Sequence, residues 1–188
     1  MTSQSPLAVR CFGNDDPLYA RYHDEEWGVP VHGDAALYER LVLEAMQSGL
    51  SWLTVLKKRE NFRAGFAGFD PASVAAFGPD DVERLMADAG IIRNRRKIEA
   101  AITNARALVE LQAAGGSLDE LVWSHAPAPR TEPPATWADV PAQTPESVSL
   151  AKALKKAGFV FVGPTTMYAA MQACGLVDDH IAGCVARE

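Results

Sequence analysis

With 188 residues, 48% of them hydrophobic and 8% aromatic, the chain is long enough for one compact domain with a sizeable core. Three cysteines cannot all pair and no apolar cleavable stretch opens the chain, which excludes a disulfide scaffold and leads us to expect a cytoplasmic protein. The formal net charge of -6 weighs mildly against a nucleic-acid partner, yet the positive charge is bunched in three places: Lys57 to Arg59, Arg93 to Lys97, and Lys152, Lys155 and Lys156. Each cluster taken alone reads equally well as a solvated helix end, where cations suit the dipole.

In chain order, residues 1–9 read as a flexible tail and 10–188 as a single helical domain. Asp16-Pro17 is an N-cap with proline in the first turn, and Gly28 closes that helix after Trp27. Asp34 is expected to cap an apolar helix from Ala35 to about Ser48, and Trp52 to Ala64 continues as helix. Asp70-Pro71 and Pro79-Asp80-Asp81 open two more, and Arg95 to Gln112 another, stopped by Gly115-Gly116. Six prolines fall between Pro127 and Pro145, so residues 115–146 read as an irregular connection. Ser147 to Ala157 is helical, Gly158 ends it, and Pro164 opens a last helix reaching Ala173. The uncharged run from Ala157 to Val177 is long enough for a bilayer, but Gly158, Gly163 and Pro164 break it into a turn and a buried helix, so no membrane role is expected. The fold class is all-α.

Three features carry chemistry. His180 and Cys184 are four apart and would share one helical face. With Cys11 and His23 they would complete a tetrahedral, closed and therefore structural Zn²⁺ site tying the chain ends together; the alternative is a buried cysteine with satisfied histidines. Glu44 lies on the apolar seam of Leu37 and Leu41, where a carboxylate is costly unless paired. It is either salt-bridged to a basic helix or waiting for a ligand that donates hydrogen bonds or carries positive charge. Tyr22 and Trp52 are near enough to offer such a ligand a flat aromatic bed. Residues 147–174 resemble a helix-hairpin-helix, in which the turn from Gly158 to Gly163, the helix start at Thr165, and Lys155 and Lys156 would grip a phosphate.

These residues together resemble one family, the TAG-type 3-methyladenine DNA glycosylases of the helix-hairpin-helix group. The resemblance is carried by Asp16-Pro-Leu-Tyr19, Tyr22-His23-Asp24, Glu26-Trp27-Gly28, Gly49-Leu-Ser-Trp52, Lys57-Lys-Arg-Glu-Asn61 and Asp88-Ala-Gly-Ile-Ile-Arg93. Gly158-Phe-Val-Phe-Val-Gly163, Gln172-Ala-Cys-Gly-Leu176 and Asp179-His180 complete it, so it runs from Arg10 to Cys184. It implies that Cys11, His23, His180 and Cys184 hold a structural zinc. It also implies that Glu44 is the catalytic pocket carboxylate, hydrogen-bonding a flipped base on which Tyr22 and Trp52 stack. The expected activity is hydrolysis of the N-glycosidic bond of 3-methyladenine in double-stranded alkylated DNA. The free base is released, an abasic site is left and no lyase step follows, the enzyme acting as a monomer. Leu50 is a candidate to plug the vacated duplex, although the sequence favours an ordinary core leucine. In one departure, the family usually has a tryptophan shortly after the first zinc cysteine, whereas here Phe12-Gly13 follows Cys11 with one residue fewer before Asp16. Asp179, beyond the hairpin, is expected to be structural. Two competing classes are a non-catalytic damage-binding protein and a zinc-stabilised protein-interaction module.

Overall fold

The computed structural model describes residues 9–187. Their helices are α1 (Pro17–Glu25), α2 (Asp34–Gln47), α3 (Trp52–Gly65), α4 (Pro71–Ala75), α5 (Pro79–Ala87), α6 (Arg95–Ala113), α7 (Leu118–Trp123), α8 (Pro145–Lys156) and α9 (Pro164–Ala173). Among the described residues the sole extended pairing is an isolated parallel bridge between Val9 and Cys184. The chain is therefore all-helical, as composition and capping signals indicate. The proposed tail, residues 1–9, lies outside the described residues except for Val9. The Val9 amide donates to Gly183 and its carbonyl accepts from Val185, so Val9 is bonded to the C-terminal segment of the helical domain.

Helix α2 is central because it is apolar on nearly every side: Leu37, Tyr38, Leu41, Val42, Leu43 and Met46 are all buried. A helix of that pattern must be covered all round, and α3, α6, α7 and α9 do so. Helix α4 packs on α6, and α8 pairs with α9. Caps follow local chemistry. Asp16 accepts from the Leu18 and Tyr19 amides, Asp70 from Ser73, and Asn94 from Lys97.

Two local readings are corrected. Asp34 does not cap α2; Gly33 holds that position and Asp34 is the first helical residue. Its carboxylate reaches across to the start of α7, accepting from Ser117 Oγ at 2.8 Å and the Asp119 amide at 2.9 Å, while Asp119 accepts from the Gly33 amide at 2.6 Å. Two aspartates thus cap each other's helices, a tertiary exchange that local spacing does not announce. Helix α7 itself lies inside the 115–146 stretch expected to be irregular. Ser117 caps it, and Leu118 and Val122 are buried. No helix of the described residues is long and apolar enough to cross a membrane.

The α8–α9 connection, residues 157–163, begins with a helix stop built on Gly158 at φ +92, where the Phe159 amide returns to the Leu154 carbonyl. Its tip is clamped to α6. Asn104 accepts from the Val160 amide at 2.8 Å and donates to the Val160 carbonyl at 3.0 Å. Phe161 there is exposed and holds a left-handed backbone at φ +57, a strained state for an aromatic residue.

Candidate active site and metal-ligand cluster

A cavity of about 120 Å³ opens between α1, α2, α3 and α9, lined by Phe12, Tyr19, Tyr22, Trp27, Glu44, Gln47, Trp52, Trp137, Ala169 and Gln172. It brings the three predicted pocket residues together. Tyr22 comes from α1, Glu44 from the last turn of α2 and Trp52 from the first turn of α3. The two aromatic rings touch at 5.3 Å between centroids, inclined by 44°. They form one wall, not two facing ones, because a flat ring between them needs roughly 7 Å, twice the ~3.5 Å contact distance.

Glu44 is only 5% exposed, and among the described residues nothing donates a hydrogen bond to it or pairs with it. The expected alternative, a salt bridge to a basic helix, is not made. Arg59 is taken by Glu26 at 2.6 and 2.9 Å. Lys97 donates to the Met46 and Ser48 carbonyls at 2.9 and 2.6 Å. Each of these two basic clusters thus spends its buried member inside the protein, while Arg93 and Arg96 stay exposed. Burial pushes the Glu44 carboxyl up to about 8, against a smaller opposing pull from Arg40. The indole Nε1 of Trp52 is also buried without a partner. An acceptor and a donor are therefore left unsatisfied in one aromatic cavity, an arrangement that a polar flat ligand satisfies. Larger cavities elsewhere lack this: the 280 Å³ one beside α5 holds Glu83 and Arg95, already paired at 2.9 Å.

Next to Tyr22 on α1, His23 turns about 100° away and enters a second cluster. The Sγ atoms of Cys11 and Cys184 lie 3.5 Å apart, and Cys184 Sγ is 3.4 Å from His23 Nε2. The three ligand atoms lie within 4.8 Å of one another. Zinc bond lengths of ~2.0–2.3 Å in a tetrahedron give ligand–ligand edges of roughly 3.3–3.8 Å, so these spacings suit that ion. His180 stands beside the trio, its ring 5.1 Å from that of His23, and its buried Nε2 has no partner. Both imidazoles are oriented alike. His23 Nδ1 meets Asp24 at 2.8 Å and His180 Nδ1 meets Asp178 at 2.8 Å, and each aspartate is held by an arginine, Arg10 or Arg187. Carboxylates on Nδ1 leave Nε2 to face a metal. Burial lowers His23 despite Asp24, favouring its neutral, ligating form. His180 and Cys184 do not share a helix, contrary to the spacing argument. They sit on an irregular segment ahead of the 3₁₀ turn Val185–Arg187, and the Val9 bridge delivers Cys184 to Cys11. Gly28 makes room for His180, since a Cβ there would lie 2.7 Å from the imidazole Cε1.

The methyladenine glycosylase family matches residues 12–188. The chain belongs to this family. It is 53% identical over 172 residues to DNA-3-methyladenine glycosylase 1 of Escherichia coli K12, an alignment covering 91% of this chain and 92% of that one. A crystal structure of 3-methyladenine DNA glycosylase I (TAG) superposes with a TM-score of 0.91 at 52% identity, covering 94% of this chain and 98% of the other. A structure describing 3-methyladenine recognition by the Staphylococcus aureus TAG gives a TM-score of 0.88 at 35% identity, covering 95% of each chain.

Within this family frame the remaining predicted residues fall as follows. Leu50 is 44% exposed on the 48–51 turn between α2 and α3, not a core leucine. Lys155 and Lys156 are exposed at the end of α8, Gly158 and Gly163 bound the turn, and Thr165 lies in the first turn of α9. Asp179 is buried; its Oδ2 accepts from Tyr168 Oη at 2.5 Å and Gln172 Nε2 at 2.9 Å, and its Oδ1 is ion-paired with Arg130 at 3.0 Å without a hydrogen bond. Sequence reasoning gave Tyr19, Trp27, Gln47, Trp137, Ala169 and Gln172 no place in the pocket. Tyr19 was within reach, one helical turn before Tyr22. Trp137, a lone aromatic in the proline-rich stretch, gave no signal.

Proposed function

We propose that this protein removes 3-methyladenine from alkylated double-stranded DNA by hydrolysing its N-glycosidic bond after flipping the nucleotide into the 120 Å³ cavity. The observation that carries the reading is Glu44: a buried carboxylate without a protein partner, on the floor of an aromatic pocket. N3-methylation gives the purine a delocalised positive charge and weakens the bond to the sugar. A buried acid and aromatic faces favour that cation over neutral adenine. Glu44 holds the base by hydrogen bonds; C1′–N9 then breaks, the base leaves neutral, and water adds to C1′ to leave an abasic site. With a neutral leaving group the reaction needs little acid catalysis, and Asp179, which does not line the cavity, is given no role as base. No lysine lines the cavity to form a Schiff base, in keeping with a monofunctional enzyme.

Residues 10–188 act as one domain in this reading. The α8–α9 pair serves as a helix-hairpin-helix, its turn amides, Thr165, Lys155 and Lys156 taking the phosphate backbone. Leu50, exposed on the turn that joins the helices of Glu44 and Trp52, fills the space the base vacates. Cys11, His23, His180 and Cys184 hold one Zn²⁺. When bound, that ion supplies structural cross-linking and fixes α1, hence Tyr22. Two thiolate ligands suit a reducing, cytoplasmic setting, and the enzyme acts as a monomer.

The test is base release. Methylated duplex DNA is incubated with the protein and free purines are separated by chromatography. Release of 3-methyladenine, with 7-methylguanine left in the DNA, is the expected result. If a folded, metal-loaded protein releases no base, the hydrolytic reading gives way to a damage-binding one.

A further inference from the structure

The pocket as described has one complete aromatic wall, Tyr22 against Trp52, and both rings are almost fully buried. A flipped purine presents two faces, so a second surface must lie opposite. Trp27 is buried too, and Phe12 is spent on other rings: it lies 4.7 Å from Tyr19 and 4.8 Å from His23. Trp137 is different. It lines the cavity yet remains 48% exposed, the most exposed tryptophan or tyrosine among its lining residues. An indole left that open is an unspent apolar and π surface.

Its placement is built. Trp137 opens a single 3₁₀ turn, Trp137–Asp139, locked by the Asp139 carboxylate, which accepts from both the amide and the hydroxyl of Thr136 at 2.9 Å. Phe12 meets its ring edge-on at 6.2 Å and Trp27 lies 6.0 Å away. Trp137 also lines a neighbouring open cavity of about 240 Å³ that includes Thr165, at the start of α9. The indole therefore partitions the pocket from the surface at the hairpin exit, where DNA enters in the reading above.

We propose that Trp137 supplies the outer stacking face for the extruded cationic purine and is a specificity-determining residue, with Phe12 as its buttress. The second face then comes out of the proline-rich connection, with Phe12 and Trp27 beside it. Tryptophan offers the strongest cation–π face of the aromatic side chains, so Trp137 discriminates methylated, positively charged purine from neutral adenine.

The proposal rests on the glycosylase reading, and its test separates the two. Intrinsic fluorescence, from four tryptophans, is titrated with free 3-methyladenine, and single-turnover base release is measured on methylated duplex, for wild type, Trp137→Ala and Trp137→Phe. Trp137→Ala is expected to weaken binding of the neutral free base, which reads stacking alone, and to slow release of the cationic purine from duplex by about 10-fold, within the range of a desolvated cation–π contact. Trp137→Phe is expected to recover most of both, a rescue that a merely structural loss would not show. Unchanged binding and release in Trp137→Ala would overturn the proposal, as would equal damage in the alanine and phenylalanine variants. If wild type binds the base with Trp137-dependent quenching yet releases none, Trp137 keeps its place and the hydrolytic reading falls.

Discussion

At the scale of the residue, Glu44 shows how a site costs the fold something. Its carboxyl titrates near 8 because burial disfavours the charge and nothing in the pocket compensates. A group whose folded value lies above its unfolded value stabilises fully below the unfolded value, ~4.5, and loses that contribution as pH rises through about 8. Glu44→Gln should therefore melt like wild type only below ~pH 4.5, gain stability relative to it progressively as pH rises from there, and hold a gain of a few kcal/mol above about pH 8. Thermal melts of both proteins from pH 4 to 9 measure the difference, and parallel curves throughout would place Glu44 in contact with a hidden partner. Binding has the opposite trend. A cationic base draws the proton off Glu44, so affinity for it should rise toward pH 8 and flatten above, up to tenfold per pH unit. Glu44→Gln should bind more weakly and lose that slope.

At the scale of the element, the α8–α9 pair was readable because its signals are local: Gly158 stops one helix and Pro164 starts the next. What it does is tested by charge. Replacing Lys155 and Lys156 with alanine should lower duplex affinity without regard to sequence and reduce the slope of log affinity against log salt by about 2. Stability should fall by at most ~1–2 kcal/mol through the lost interaction with the helix end. An unchanged salt slope would take the turn off the DNA. The other basic clusters teach the limit of charge counting, since Lys97 is consumed in clamping the end of α2 that leads to Leu50, and Arg59 in pairing Glu26. Helix α7, the reciprocal caps of Asp34 and Asp119, and Trp137 were not legible for a related reason. Each is fixed by partners 80 or more residues away or by a stretch whose prolines mask its one helix. Tyr22, Glu44 and Trp52 were legible because a polar group on an apolar seam violates a local rule.

At the scale of the whole molecule, the metal-ligand cluster closes the chain on itself. Cys11 and Cys184 are 173 positions apart and meet at 3.5 Å, while Tyr22, adjacent to His23, is a wall of the base pocket. An ion bound there removes the closure entropy of nearly the entire chain from the unfolded state, roughly 5 kcal/mol on the scale of a disulfide of that span. At ~2–4 °C per kcal/mol for a domain of this size, stripping the metal with a chelator should lower Tm by about 10–20 °C. Restoring Zn²⁺ should return it, and protein purified without added metal should carry close to one equivalent. The coupling to function is separable from the fold. Because α2, α3, α6 and α9 bury the core independently of the chain ends, metal-free protein below its Tm should keep its helical circular dichroism yet bind 3-methyladenine more weakly, as the Tyr22 wall loosens. If stripped protein melts and binds unchanged, the cysteines and histidines are ordinary buried side chains and the pocket needs no ion to hold its shape.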